Sequence, residues 1–266
     1  PERGLLAPEQ FLPLVRGHQL MDAVTEFVIN RALDDAGQWC AAGLALPVAV
    51  NLSATSVAIP DLPGRISGEL SRRRLDPSML AVEITEDLFL ADAERARQVL
   101  SQLRDNGIRV AIDGFGSGYS ALWYLRDLPV DEVKLDRGFI APIVTDPRAA
   151  AVVRAVIDLA HVLLLTTVAE GVEDGQTADL LRSFGCDVVQ GFYYSSPVPA
   201  DEVTAIFSRG GVSTPAPCSV TGPSVDSSSI QRSSSKSAFF STSPASAGAV
   251  ASRARAAARR PAARNR

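Results

Sequence analysis

Six polar residues stand at the ends of six short apolar runs: Asn51, Glu83, Asp113, Lys134, Glu170 and Gln190. Five offer oxygen donors of the kind that hard divalent cations prefer, carboxylates and amide carbonyls. The stretch 109–122, RVAIDGFGSGYSAL, is the most suggestive. A β-branched run ends in Asp113, and Gly114, Gly116 and Gly118 follow within five residues. A carboxylate at a strand end before a glycine-rich loop suits a metal or phosphate site, because glycine permits positive φ and close backbone approach. The same residues also suit a plain turn with Asp113 as a helix cap.

The other positions carry similar paired readings. Asn51 ends PVAVNLS as a turn former or as a carbonyl ligand. Glu83 lies inside LAVEIT, where an acid is costly unless paired or bound to metal. Lys134 is one of only two lysines, the other being Lys236. It shares a strand face with Asp136, either as a salt-bridged strand residue or as a group chosen for its chemistry. His161, near the end of a helix, reads as structural.

The elements that must position these residues alternate. Apolar runs at 47–53, 80–85, 109–113, 130–136, 164–169 and 188–191 read as strands. Helical periodicity fills the gaps: Leu20, Val24, Phe27 and Val28 form one stripe, and Ala96, Leu100 and Leu103 another, closed by Gly107. Strand and helix alternate every roughly 25–35 residues, the pattern of parallel βαβ units. Polar groups at every strand end favour a barrel rim over the single crevice of a doubly wound sheet. A closed barrel of this kind has eight strands in about 250 residues. Six are legible here.

Composition divides near 210–211. The first 211 residues carry 18 basic and 29 acidic side chains; the remainder carries 8 and 1. The later stretch, rich in Ser and Pro and then in Arg and Ala, should be disordered. It reads as a solvated extension, not as a binder of nucleic acid polymers. Three cysteines, Cys40, Cys186 and Cys218, show no CxxC spacing, which argues against a disulfide framework or zinc site. The longest apolar stretch, 162–169, is too short to cross a bilayer. A reducing, cytoplasmic setting is expected.

Together these residues resemble the EAL family, bacterial phosphodiesterases that hydrolyse cyclic di-GMP to pGpG. The matching motifs are VNLS (50–53), EITE (83–86), IDGFGSGYSAL (112–122), LPVDEVKLDRGFI (128–140), VAEGVE (168–173) and QGFYYSSP (190–197). The resemblance implies a modified TIM (β/α) barrel, incomplete in this chain, over 1–208, with a tail over 209–266. It implies two-metal hydrolysis with Mg²⁺ or Mn²⁺. Carried over, Asn51, Glu83, Asp113 and Glu170 match metal ligands, and Glu170 also a base. Lys134 matches the lysine beside the attacking water, and Glu86 the glutamate that steadies the glycine-rich loop. Asp136, Glu173 and Gln190 match further substrate-site residues. Implied partners are cyclic di-GMP, and a homodimer or an upstream signalling domain.

Two departures qualify the resemblance. The glutamate of the Glu-Ala-Leu motif has no counterpart, nor do the first two barrel strands, which would leave sheet edges open to pairing. The family's Asp-Asp pair reads Asp113-Gly114, so a ligand of the second metal is missing. Activity is therefore expected to be impaired, with an inactive nucleotide- or protein-binding domain, or a gene fragment, as the alternatives.

Overall fold

Each apolar run becomes a strand of one sheet. The structure is a computed structural model and describes residues 8–85, 93–116, 122–209 and 240–242. Helices α1 (Pro8–Gly17) and α2 (Met21–Ala41) lead into β1 (Val48–Asn51). Then follow α3 (Ala54–Val57), α4 (Leu62–Arg73) and β2 (Leu80–Thr85), then α5 (Ala93–Asp105), β3 (Arg109–Phe115) and α6 (Leu122–Asp127). The chain continues through β4 (Glu132–Leu135), α7 (Arg137–Ile140), α8 (Pro147–Val162), β5 (Thr166–Ala169), α9 (Gly175–Ser183), β6 (Val188–Val189) and α10 (Ala200–Arg209).

The six strands pair in sequence order and in parallel, from β1 to β6. With helices between them they make a half-barrel. Alternation assigns the two faces. Val48, Val50, Val82, Ile84, Val110, Ile112, Val133 and Leu135 join the main core with the helices. Ala49 and Ala81 form a small separate cluster on the other face. Their neighbours two residues on, Asn51 and Glu83, therefore share that inner face. Trp39 of α2 donates Nε1–H to the carbonyl of Ala200 at 3.0 Å, tying the first long helix to α10.

The helices enter the strands through one repeated turn. After α2, α4, α5, α8 and α9 comes a left-handed residue: Gly43, Arg74, Gly107, Leu164 or Gly185. The next amide then reaches five residues back, as Ile108 does to Leu103 at 3.0 Å and Leu165 to Ala160 at 2.9 Å. This satisfies helix carbonyls that would otherwise lack partners.

Two of these units share a further strap. Asp131, just before β4, accepts the amide of Val110 in β3 (3.0 Å) and pairs with Arg104 of α5 (2.9 Å). Asp187, just before β6, accepts the amide of Thr167 in β5 (3.0 Å) and pairs with His161 of α8 (2.9 Å). His161, Thr167 and Asp187 stand 57, 57 and 56 residues after Arg104, Val110 and Asp131. The structural reading of His161 thus acquires a specific partner.

Within the stretch expected to lack structure, three residues add a strand. β7 (Phe240–Thr242) pairs in parallel with β1, Val48 opposite Phe240 and Val50 opposite Thr242. An edge open to pairing is thereby covered over those three residues. The rest of the tail, 210–239 and 243–266, lies outside the described residues, as does Cys218.

Candidate active site

Strand register brings the polar strand ends together. Asn51 lies opposite Glu83 across β1 and β2. Asp113 lies opposite Thr85, two residues beyond Glu83 and on the same face. Lys134 follows Val133, which pairs with Ile112, so it comes level with Asp113. Glu170 and Gln190 each follow the last paired residue of β5 and β6, Ala169 and Val189. All six belong to one end of the sheet, the C-terminal ends of parallel strands.

Lys134 is the hub. Its side chain is 2% exposed, and Nζ lies 2.8 Å from Glu83 Oε1, 2.7 Å from Glu170 Oε1 and 3.1 Å from Asp113 Oδ1. Lys134 is thus salt-bridged within its strand, to three carboxylates at once. Burial alone would push the ammonium's pKa down; the charges of Glu83, Glu170 and Asp113 outweigh it and hold the pKa far above the usual range. Burial pushes the Glu170 carboxyl up, against the pull of Lys134, and Asp113 adds to the rise. Three carboxylates around one ammonium leave the cluster net negative, a setting that attracts a further cation.

Gln190 is 1% exposed and donates Nε2–H to Glu170 Oε1. Its own Oε1 is buried and has no hydrogen-bond partner among the described residues. Asp136 caps α7 by accepting the Gly138 amide at 2.7 Å, and its own amide bonds to Phe115 at 3.0 Å. Glu173 stands farther out, 46% exposed, with Oε1 2.9 Å from Arg137 Nη2. Glu86 and the loop 117–121 lie outside the described residues.

Gly114 sits in an irregularity of β3, where the register with β4 shifts between Ile112 and Phe115. Its φ is +73°, left-handed backbone that glycine adopts freely and that aspartate tolerates better than most residues. Sequence reasoning missed two residues near the site. Glu132 is buried on the face of Lys134, two residues earlier, and was legible only as another acid in a short strand. Arg137, which holds Glu173, left no signal beyond its place in a motif.

The donor chemistry fits a hard divalent cation: every candidate ligand is an oxygen, and one buried acceptor awaits a partner. Among the described residues, however, no three His, Cys, Asp or Glu side chains already surround one point as metal ligands would. The carboxylates close on Lys134 Nζ.

A parallel half-barrel with an acidic and lysine cluster at its C-terminal rim defines a TIM-barrel-like class of domain. The EAL domain family matches residues 1–197, and the chain belongs to that family. One relative is the bifunctional diguanylate cyclase/cyclic di-GMP phosphodiesterase MucR of Pseudomonas aeruginosa. It is 40% identical over 206 residues, covering 77% of this chain and 30% of that protein. Another is the signaling protein YkoW of Bacillus subtilis, 36% identical over 202 residues, covering 76% of this chain and 25% of that protein. The chain thus spans under a third of the length of these relatives. Among solved structures, the PaMucR phosphodiesterase in complex with c-di-GMP superposes with a TM-score of 0.71 at 40% identity, covering 76% of this chain and 83% of that one. The EAL enzyme Bd1971, bound to cAMP and cyclic-di-GMP, gives a TM-score of 0.72 at 28% identity, covering 77% and 57%.

Proposed function

We propose that this chain is the nucleotide-handling part of a cyclic di-GMP signalling protein, binding cyclic di-GMP at the strand-end rim and hydrolysing it weakly. The observation that carries this reading is the convergence of Glu83, Asp113 and Glu170 on the buried Lys134. It is supported by the likeness to a phosphodiesterase solved with c-di-GMP. Asn51, Glu83, Asp113 and Glu170 would hold Mg²⁺ or Mn²⁺, which when bound lowers the pKa of a water and neutralises phosphate charge. Lys134 holds Glu83, Asp113 and Glu170 in one place and keeps its proton, so its role is to fix and balance charge. Glu170, with its pKa raised by burial, is suited to take a proton from the attacking water. Gln190 orients Glu170 by its hydrogen bond. Asp136, which caps α7, and Glu173, which pairs with Arg137, would contribute to the substrate side of the same rim.

Weak turnover follows from Gly114, which offers no carboxylate where the family has one. Changes to groups that merely support metal ligands cost about 10–100-fold in affinity or activity, and losing a ligand should cost at least as much. The test is Mn²⁺-dependent conversion of cyclic di-GMP to pGpG by the wild type and by Gly114→Asp. The expected result is slow turnover that rises at least tenfold in Gly114→Asp and vanishes in Glu83→Gln. Equal rates in wild type and Gly114→Asp would refute the impairment. Saturable nucleotide binding with no turnover by either protein would favour a binding-only domain. A cytoplasmic location is proposed on the cysteine pattern, in which Cys40 and Cys186 carry thiols and not a disulfide. Among the described residues no helix is long and apolar enough to cross a membrane.

A further inference from the structure

We propose that Arg137 is a positioning residue for Glu170, acting through the backbone of the 170–173 loop; the catalytic part of this inference rests on the function proposed above. One side of that loop is tied to the sheet. Glu170 donates its amide to Leu135 (3.0 Å), Val172 donates to Gln190 (3.0 Å), and Tyr193 donates back to Val172 (3.1 Å). The other side is covered by Arg137. Gly171 has φ +68°, and a Cβ placed on it would fall 2.5 Å from Arg137 Cγ and 2.6 Å from its Cβ. The aliphatic stem of Arg137 therefore lies directly on the Gly171 backbone. Its guanidinium then reaches past the glycine to Glu173, 2.9 Å away. One side chain thus spans the loop from Gly171 to Glu173.

Arg137 is itself well anchored. It is the first residue of α7, which Asp136 caps and whose last residue, Ile140, is fully buried. The same helix braces the loop after Asp113: a Cβ on Gly116 would fall 2.8 Å from Phe139 Cγ. This four-residue helix rests against the loops that follow Asp113 and Glu170. Arg137 is 63% exposed, so its pair with Glu173 contributes little to global stability, where exposed pairs give about 0–1 kcal/mol. Its effect falls on the placement of Glu170, whose Oε1 must serve both Lys134 and Gln190.

The test compares full-length Arg137→Ala, Arg137→Met and Arg137→Lys with wild type by amide hydrogen exchange and by Mn²⁺-dependent turnover of cyclic di-GMP. In Arg137→Ala, exchange at Glu170 and Val172 is expected to rise at least tenfold while the sheet amides of β2 and β3 keep their rates. The kcat is expected to fall about 10–100-fold with KM within threefold, as for other supporting groups. Arg137→Met, which keeps the stem, should restore part of the protection. Arg137→Lys, which keeps stem and charge, should restore most of both. Unchanged exchange at Glu170 and Val172 in Arg137→Ala overturns the proposal. So does a rise spread evenly over the whole sheet, which would make Arg137 a residue of the fold. If wild type turns over no nucleotide, the proposed function fails, and the exchange rates decide the Arg137 claim by themselves.

Discussion

Replacing Lys134 by methionine removes one charge and keeps nearly the same volume, so it isolates the electrostatic role of the hub. Nζ touches Glu83, Asp113 and Glu170, whose side chains are 1%, 22% and 16% exposed. Asp113 and Glu170 retain some access to water; Glu83 has almost none. Removing one partner of a buried ion pair costs about 3–5 kcal/mol, because the remaining charge is stranded. Glu83 should account for most of that cost. For a domain of this size each kcal/mol moves Tm by about 2–4 °C, so Lys134→Met should melt roughly 6–20 °C lower. Replacing both partners removes the stranded charge, and Lys134→Met/Glu83→Gln should recover at least half of the loss. The assay is urea unfolding followed by circular dichroism at neutral pH, run as a double-mutant cycle. A Lys134→Met loss under about 1 kcal/mol, or a double variant with the two single costs merely added, would refute the hub.

Three further predictions concern the scaffold. Leu164 holds φ +61° at 80% exposure where the equivalent turn after α5 has Gly107, so Leu164→Gly should stabilise by about 0.5–1 kcal/mol; a lowered thermal midpoint would contradict this. Burial works against ionisation of Asp187, but hydrogen bonds from Thr167 and His161 outweigh it and hold the carboxyl below its usual range. That stability is present above the unfolded carboxylate pKa of about 3.9 and is lost as pH falls through the lower folded value. Asp187→Asn should therefore cost about 1–2 kcal/mol at pH 7, with the difference from wild type shrinking below about pH 4; urea titrations across pH check it. Burial pushes the Cys186 thiol to about 11, so at pH 8 only about a thousandth is thiolate. Cys186 should resist a thiol reagent that labels the half-buried Cys40, and equal labelling in the folded protein would contradict its burial.

The strands were legible because each is a short apolar run that ends in a polar residue, and parallel pairing turns those ends into one rim. Glu83 and Lys134 stood out for a related reason: a charge inside an apolar strand needs a partner, and each proves to be the other's. Register is a property of pairing, so the level placement of Asn51 with Glu83 was not readable from either run alone. The straps built on Asp131 and Asp187 were hidden because an aspartate before a strand looks like a turn residue until its acceptor bonds are seen. Leu164 hid a left-handed turn that glycine would have announced. β7 was unreadable in a tail whose composition gives no sustained period.

The most direct measurement of the central claim is a calorimetric titration of cyclic di-GMP into the full chain, with Mn²⁺ and then with EDTA. The rim of oxygen donors around Lys134 predicts saturable binding with Mn²⁺ that weakens at least tenfold in EDTA and in Glu83→Gln. No binding under either condition, by a chain that melts cooperatively, would contradict it.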